Sequence, residues 1–124
     1  MANKLYPKAK EAFLSGGIDL TSDAIKAALI DLADYTYDAS HDNLDDVAAA
    51  ARVATSSAMS GKSVTDGVFD ADDVTWTSVS GDQSEAIILF KDTGTESTSS
   101  LIAYLDTATA GLPVTPNGSD ITVA

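Results

Sequence analysis

The feature that most constrains the fold is a series of short apolar or β-branched segments separated by turn-forming residues. Ala86–Lys91 is the most apolar of them, and its length suits a fully buried central strand better than a helix. Residues 74–79 are rich in β-branched side chains and are bounded by Asp72-Asp73 and Gly81-Asp82, which is typical of a strand. Further strands are predicted at residues 24–31, 52–59, 63–69, 100–106 and 121–123.

These segments follow one another without the amphipathic helices that a parallel βαβ sheet needs between its strands. We therefore expect a mostly β fold, an antiparallel β-sandwich of the jelly-roll-like kind with one or two short helices. Residues 24–31 also contain the Ala and Leu that favour a helix. Strand is preferred there because Ile25 and Ile30 do not form a clean helical stripe.

Two segments have helical patterns. Residues 6–14 contain Pro7 near their start, where a first helical turn tolerates proline. Gly16-Gly17 then acts as a stop signal. Residues 43–51 have apolar side chains at the i, i+3, i+4 and i+7 positions of one helix face. These are Leu44, Val47, Ala48 and Ala51.

The length of 124 residues suits one domain. We expect an N-terminal arm with a short helix (residues 1–20) and a single β-sandwich domain (residues 21–124). The chain has no cysteine, which excludes disulfides and thiolate metal sites. It has no apolar run of the ~18 residues that a membrane span needs, so no membrane partner is expected. Its N-terminus lacks the apolar core of a signal peptide, so we expect synthesis in a cytoplasm and no export.

Acidic side chains dominate, with 19 Asp and Glu against 7 Lys and Arg and a formal net charge of −12. Such a chain repels a phosphate backbone, so direct nucleic-acid binding is not expected. Lys4, Lys8 and Lys10 crowd the N-terminus, whereas residues 31–46 and 66–73 are acidic. A basic N-terminus on an acidic body would suit docking on an acidic partner. The alternative is a solvated arm without a partner.

Gly61-Lys62-Ser63 is the tripeptide that ends the phosphate-binding loop of many nucleotide hydrolases. That loop needs a further glycine five positions before Gly61, where this chain has Ser56. It must also begin a helix whose N-terminus holds the phosphate, and residues 63–67 are a poor helix start. The tripeptide therefore indicates a turn between two strands.

The acidic stretch 70–73 resembles the start of a calcium loop only superficially. Counted from Asp70, the fifth, sixth and twelfth positions hold Val74, Thr75 and Gly81, where a helix–loop–helix site needs Asp or Asn, Gly and Glu. The interpretation we favour is an acidic surface loop, for this stretch and for Asp42, Asp45 and Asp46. An irregular calcium site, as in a calcium-dependent carbohydrate binder, stays an alternative because Ca²⁺ accepts irregular oxygen ligands.

His41 is the single histidine and lies in Ser40-His41-Asp42. These are the residue types of a hydrolytic triad, but adjacent residues cannot form one because its members come from separate segments. The Gly-x-Ser-x-Gly elbow of hydrolases does not occur either. We therefore predict no catalytic residue, no metal site and no cofactor, and we do not expect an enzyme.

The last feature is a set of five stretches taken together. They are residues 1–14 (MANKLYPKAKEAFL), 35–41 (YTYDASH), 51–55 (ARVAT), 91–95 (KDTGT) and 101–106 (LIAYLD). In this order they resemble a family of small structural proteins of tailed bacteriophages, over nearly the whole chain. The shared stretches are structural rather than catalytic.

The resemblance implies a role in the virion. The expected function is a capsid decoration or cement protein that binds across the joints of the major capsid protein, and the alternative is a tail, fibre or adaptor component. The expected partners are the major capsid protein and further copies of this chain, with a trimer as one arrangement that an open terminal strand would allow. The predicted contact residues are Lys4, Tyr6, Lys8, Lys10 and Phe13.

Overall fold

The computed structural model describes residues 3–107 and 112–123, which form a mostly β fold with one α-helix, α1 (Pro7–Ser15). The strands are β1 (Lys4–Leu5), β2 (Ile25–Ile30), β3 (Arg52–Thr55), β4 (Ser63–Thr65), β5 (Val68–Asp70), β6 (Val74–Trp76), β7 (Ala86–Lys91), β8 (Leu101–Leu105) and β9 (Ile121–Val123). Short 3-10 helices lie at Leu44–Asp46, Ala49–Ala51 and Glu96–Thr98. Within these described ranges, no helix has the length and hydropathy that crossing a membrane requires.

A five-stranded antiparallel sheet in the order β1-β8-β7-β2-β3 forms the centre of the fold. Strand β7 lies in its middle, paired along its whole length with β2, from Ile25 opposite Lys91 to Ile30 opposite Ala86. Its other edge pairs with β8. The prediction that Ala86–Lys91 is a buried central strand is therefore confirmed.

Side chains alternate between the two faces of the sheet along each strand, and both faces are buried. One face packs against α1, which contributes Ala9, and against the loop that follows β2; the buried sheet residues on this side include Ala28, Ile30, Ile88 and Phe90. The other face, with Ala27, Leu29 and Ile87, packs against β6, β9 and the segments beside them, whose buried residues are Trp76, Val79 and Ile121.

Two small sheets complete the described part of the chain, β4-β5 and β6-β9, each with two strands. The predicted mostly β, antiparallel class with a short helix is thus confirmed. The jelly-roll-like sandwich is not confirmed, because the described strands form one large sheet and two small ones. Residues 63–69, predicted as one strand, form the β4-β5 hairpin, since Asp66 and Gly67 adopt the positive φ angles of a tight hairpin turn (52° and 77°).

Helix α1 confirms the prediction for residues 6–14. Pro7 occupies its first turn, and the N–H groups of Gly16 and Gly17 donate to carbonyls of the last helical turn. The helix is continuous with the sheet, because β1 pairs with β8 and the Tyr6 N–H donates to the Ile102 carbonyl at 3.0 Å. Within residues 3–15, the predicted N-terminal arm is thus held to the sheet by the β1–β8 pairing, by this hydrogen bond and by the buried side chains of Tyr6 and Ala9.

The α-helix predicted over residues 43–51 is wrong, since the segment forms two separate 3-10 turns. Its apolar positions Leu44, Val47 and Ala51 are buried, as the pattern indicates. Contacts with other segments decide the backbone instead: the Leu44 N–H donates to the Ser99 carbonyl, and the Ala51 carbonyl accepts from the Asp31 N–H, each at 2.9 Å. Tertiary pairing at both ends thus overrides the helical spacing.

Candidate functional site

The predicted contact residues lie in β1, in α1 and, for Tyr6, at the junction between them. Lys4, Lys8 and Lys10 are exposed, and Phe13 is half-buried. Lys8 forms an ion pair of 3.1 Å with Glu11 on the same side of the helix. Lys10 precedes Leu14 by four residues, so the two side chains share one exposed helix face.

Tyr6 is a correction to the predicted contact set. Its side chain is fully buried, with 0% exposure, and its hydroxyl lies 2.8 Å from the hydroxyl of Tyr35. The Tyr35 hydroxyl in turn lies 2.9 Å from Nδ1 of His41. A partner cannot reach the Tyr6 ring in this conformation, so Tyr6 is a core residue that holds the N-terminal segment in place.

All four tyrosines of the chain meet in one cluster. The Tyr37 ring lies between those of Tyr6 and Tyr104, at centroid distances of 5.1 Å and 5.3 Å. Lys4 places its Nζ 5.4 Å from the centroid of Tyr37, within the range of a cation–π contact. The cluster was not predicted, because it brings together three segments that are far apart in sequence, around Tyr6, Tyr35 and Tyr104.

Burial raises the pKa of three tyrosines in this cluster, Tyr6, Tyr35 and Tyr104. It raises the pKa of Tyr6 well above the ordinary value of 10.0, and the hydrogen bond to Tyr35 reinforces the effect. Burial also raises the pKa of Tyr35. For Tyr104, burial and the nearby Asp106 charge raise the pKa to about 12. The protonated hydroxyls act as packing and hydrogen-bonding groups.

An exposed apolar surface lies at the C-terminal end of α1. Leu14, in the last turn of α1, is 90% exposed. Beside it lies an open groove of about 530 Å³ whose apolar lining is Phe13, Ile18, Leu20 and Val64. We call Lys4, Lys8, Lys10, Phe13 and Leu14 the N-terminal surface.

The Gly61-Lys62-Ser63 tripeptide is a turn that leads into β4, as predicted, and residues 63–70 form a hairpin. Gly61 has a φ of 64°, and the carboxylate of Asp72 packs directly on its Cα side. The Lys62 ammonium donates to the Asp23 carbonyl, an uncharged acceptor. The glycine is therefore explained by backbone conformation and by close packing.

The acidic stretch at residues 70–73 forms the rim of a cavity of about 220 Å³. Its floor is formed by Ala27, Ile87 and Leu89 of the large sheet and by Trp76 of β6. Asp70, Asp72 and Asp73 stand at the rim. The sequence showed the acids but not the apolar floor, whose residues come from separate strands.

Two other groups of acids have different surroundings. Asp31, Asp34 and Asp82 bring carboxylate oxygens within 4.8 Å of one another, which is close enough to share a cation. One Asp31 oxygen already accepts the Ala33 N–H at 2.9 Å. The Asp46 carboxylate accepts the Asp42 N–H at 2.8 Å, and backbone donation of this kind lowers the pKa of Asp46. That second group caps a 3-10 turn.

No model of a known protein family matches the chain, and no curated protein matches it significantly. Function therefore has to be argued from the residues and surfaces described above.

Proposed function

We propose that the chain is a non-enzymatic structural protein of a tailed-phage virion, a decoration or cement protein that stabilises the head by binding across the joints of the major capsid protein. The observation that carries this proposal is the N-terminal surface. There the almost fully exposed Leu14 shares a helix face with the exposed Lys10, on a molecule whose net charge is −12. Apolar surface rimmed by charge is typical of a site that a partner covers.

The charge of the N-terminal surface indicates the sign of the partner. Three of the seven basic side chains of the chain, Lys4, Lys8 and Lys10, lie on this surface. An acidic patch across the capsid joint would complement them and would raise the association rate. The acidic loops on other parts of the molecule would face solvent and keep decorated particles from associating.

The energetics favour a repeated, modest contact. Burying the Leu14 side chain against a partner contributes roughly 1.5–3 kcal/mol, which alone does not offset the cost of association. A shell that presents many identical joints compensates, because each bound copy stabilises only the assembled state. The resemblance of the five sequence stretches to small phage structural proteins supports a role in the virion, for a head protein and for a tail, fibre or adaptor component alike.

The experiment compares binding of variants to capsids assembled without this chain, measured by co-sedimentation. Leu14→Ser is expected to weaken binding at least tenfold, since the lost burial is roughly 1.5–3 kcal/mol and each step of about 1.4 kcal/mol corresponds to a factor of ten. Lys8→Glu combined with Lys10→Glu is also expected to weaken binding. The loss should be larger at low salt than at high salt, because salt screens exposed charges.

Matched controls separate the surface from general effects. Val68→Ser alters another exposed apolar side chain, 64% exposed on β5, and should leave binding unchanged. Lys8→Arg with Lys10→Arg retains the charges and should bind as the parent chain does. If the Leu14 and charge-reversed variants bind capsids as well as the controls do, the N-terminal surface is not the docking site.

A further inference from the structure

The cavity beneath residues 70–73 has an apolar, aromatic interior. Its floor consists of sheet residues such as Ile87 and Leu89, and Met59 closes one side. The Trp76 ring is fixed in the wall, because its Nε1 donates to the Ala27 carbonyl at 3.1 Å. Phe69 supplies a second aromatic ring. A ligand for such a site needs an apolar body.

The rim of this cavity is anionic. Asp70, Asp72 and Asp73 line it, and none of the described lining residues is basic. Ion pairs between side chains in the described ranges involve other acids, namely Glu11, Asp23, Asp92 and Glu96. A positive group entering the cavity would thus find uncompensated carboxylates, whereas a negative group would be repelled.

A second, smaller cavity adjoins the rim and is polar. It measures about 80 Å³ and shares Met59, Asp72, Asp73 and Val74 with the first. Its remaining lining includes Ser56, Ser57 and Ser60, whose hydroxyl and carbonyl oxygens can accept hydrogen bonds. The two cavities therefore share a wall, with apolar space on one side and polar, anionic space on the other.

We propose that these adjoining cavities bind a small amphipathic amine, with its apolar body against Trp76 and Leu89 and its ammonium between Asp70, Asp73 and the serine-lined space. The aromatic rings of Trp76 and Phe69 favour a ligand whose apolar body can pack against them. A main cavity of about 220 Å³ is smaller than the roughly 300 Å³ at which sites for drug-sized ligands begin. The ligand class is therefore an amine with a single ring or a short alkyl chain. This site is separate from the N-terminal surface and does not depend on the capsid proposal.

The test uses 2-phenylethylamine as the probe, with 2-phenylethanol and phenylacetate as neutral and anionic counterparts of similar shape. Trp76 is the single tryptophan of the chain, so its indole N–H resonance in an NMR titration reports on the cavity without ambiguity. The amine is expected to shift this resonance saturably and to bind at least tenfold more tightly than the alcohol. Phenylacetate should not bind.

Two variants assign the charge selectivity to the rim. Asp70→Asn combined with Asp73→Asn should reduce amine affinity severalfold while leaving the affinity for the alcohol unchanged. Asp45→Asn, an exposed acid on a different segment, is the matched control and should change neither. Equal binding of amine and alcohol, no binding of the amine, or an unchanged amine affinity in the double variant would each overturn the proposal.

Discussion

Gly61 belongs to a tripeptide that resembles a phosphate-binding motif, but its backbone conformation and close packing explain why glycine occupies the position. Its backbone has a φ of 64°, and a Cβ at this position would overlap the carboxylate of Asp72. That carboxylate also accepts a hydrogen bond from Ser60 Oγ at 3.0 Å. We expect Gly61→Ala to lower the free energy of unfolding by about 2 kcal/mol, roughly half from the left-handed backbone and half from displacing Asp72. Urea unfolding measures this change.

Gly67 provides the matched control, because it has a φ of 77° and no atom lies within 4 Å of the position that a Cβ would take there. Gly67→Ala should therefore cost only the backbone contribution, about 1 kcal/mol. In an Asp72→Ala background, the cost of Gly61→Ala should fall to the same value. Equal costs for the two glycine variants in the parent chain would show that the Asp72 contact is unimportant.

The tyrosine hydroxyls give a second prediction at the scale of single residues. Tyr6→Phe removes the 2.8 Å hydrogen bond to Tyr35 but leaves the Tyr35 hydroxyl with His41 as its partner. Its expected cost is about 1 kcal/mol, whereas Tyr35→Phe leaves the buried Tyr6 hydroxyl without Tyr35 and should cost about 2 kcal/mol. The double variant should cost less than the sum, as unfolding of all three variants in urea would show. Additive costs would contradict the hydrogen-bond chain.

At the scale of elements, the strands were predictable where local pattern and burial agree. The consecutive apolar side chains of Ala86–Lys91 point to both faces of a strand, so they predict burial on both sides. Strand β7 is buried in this way. The failure at residues 43–51 has the opposite cause, because bonds to Ser99 and Asp31, far along the chain, fix the backbone there. The cavity and the tyrosine cluster were missed for the same reason, since long-range pairing assembles them.

The N-terminal segment yields the prediction for this scale. Deleting residues 1–10 removes β1, the first turn of α1 and the buried Tyr6. Loss of a buried aromatic side chain alone costs about 3–5 kcal/mol, a large part of the 5–15 kcal/mol that stabilises a typical domain. We expect the deleted chain to lose cooperative thermal unfolding, as measured by near-UV circular dichroism. Leu14→Ser, which changes only an exposed side chain, should unfold as the parent chain does; an equally cooperative deletion variant would show that the segment is an independent arm.

For the whole molecule, the tyrosine cluster predicts sensitivity to alkali. A raised pKa means that the folded state holds its phenolic protons more tightly than the unfolded chain, whose tyrosines titrate near 10.0. This contribution to stability is complete below pH 10 and is lost as pH rises towards the value of about 12 for Tyr104. Tyrosinate absorbance and far-UV circular dichroism should change together in one transition. Ionisation of the buried tyrosines near pH 10 with the fold intact would contradict their burial.

The proposed role is tested most directly on the intact particle, through the ratio of this chain to the major capsid protein in purified virions. A protein that binds the repeated joints of the head should be present in on the order of hundreds of copies per particle. We expect quantitative densitometry to give that number. A few copies to a few dozen would indicate the tail, fibre or adaptor role instead, and absence from the particle would contradict the virion assignment altogether.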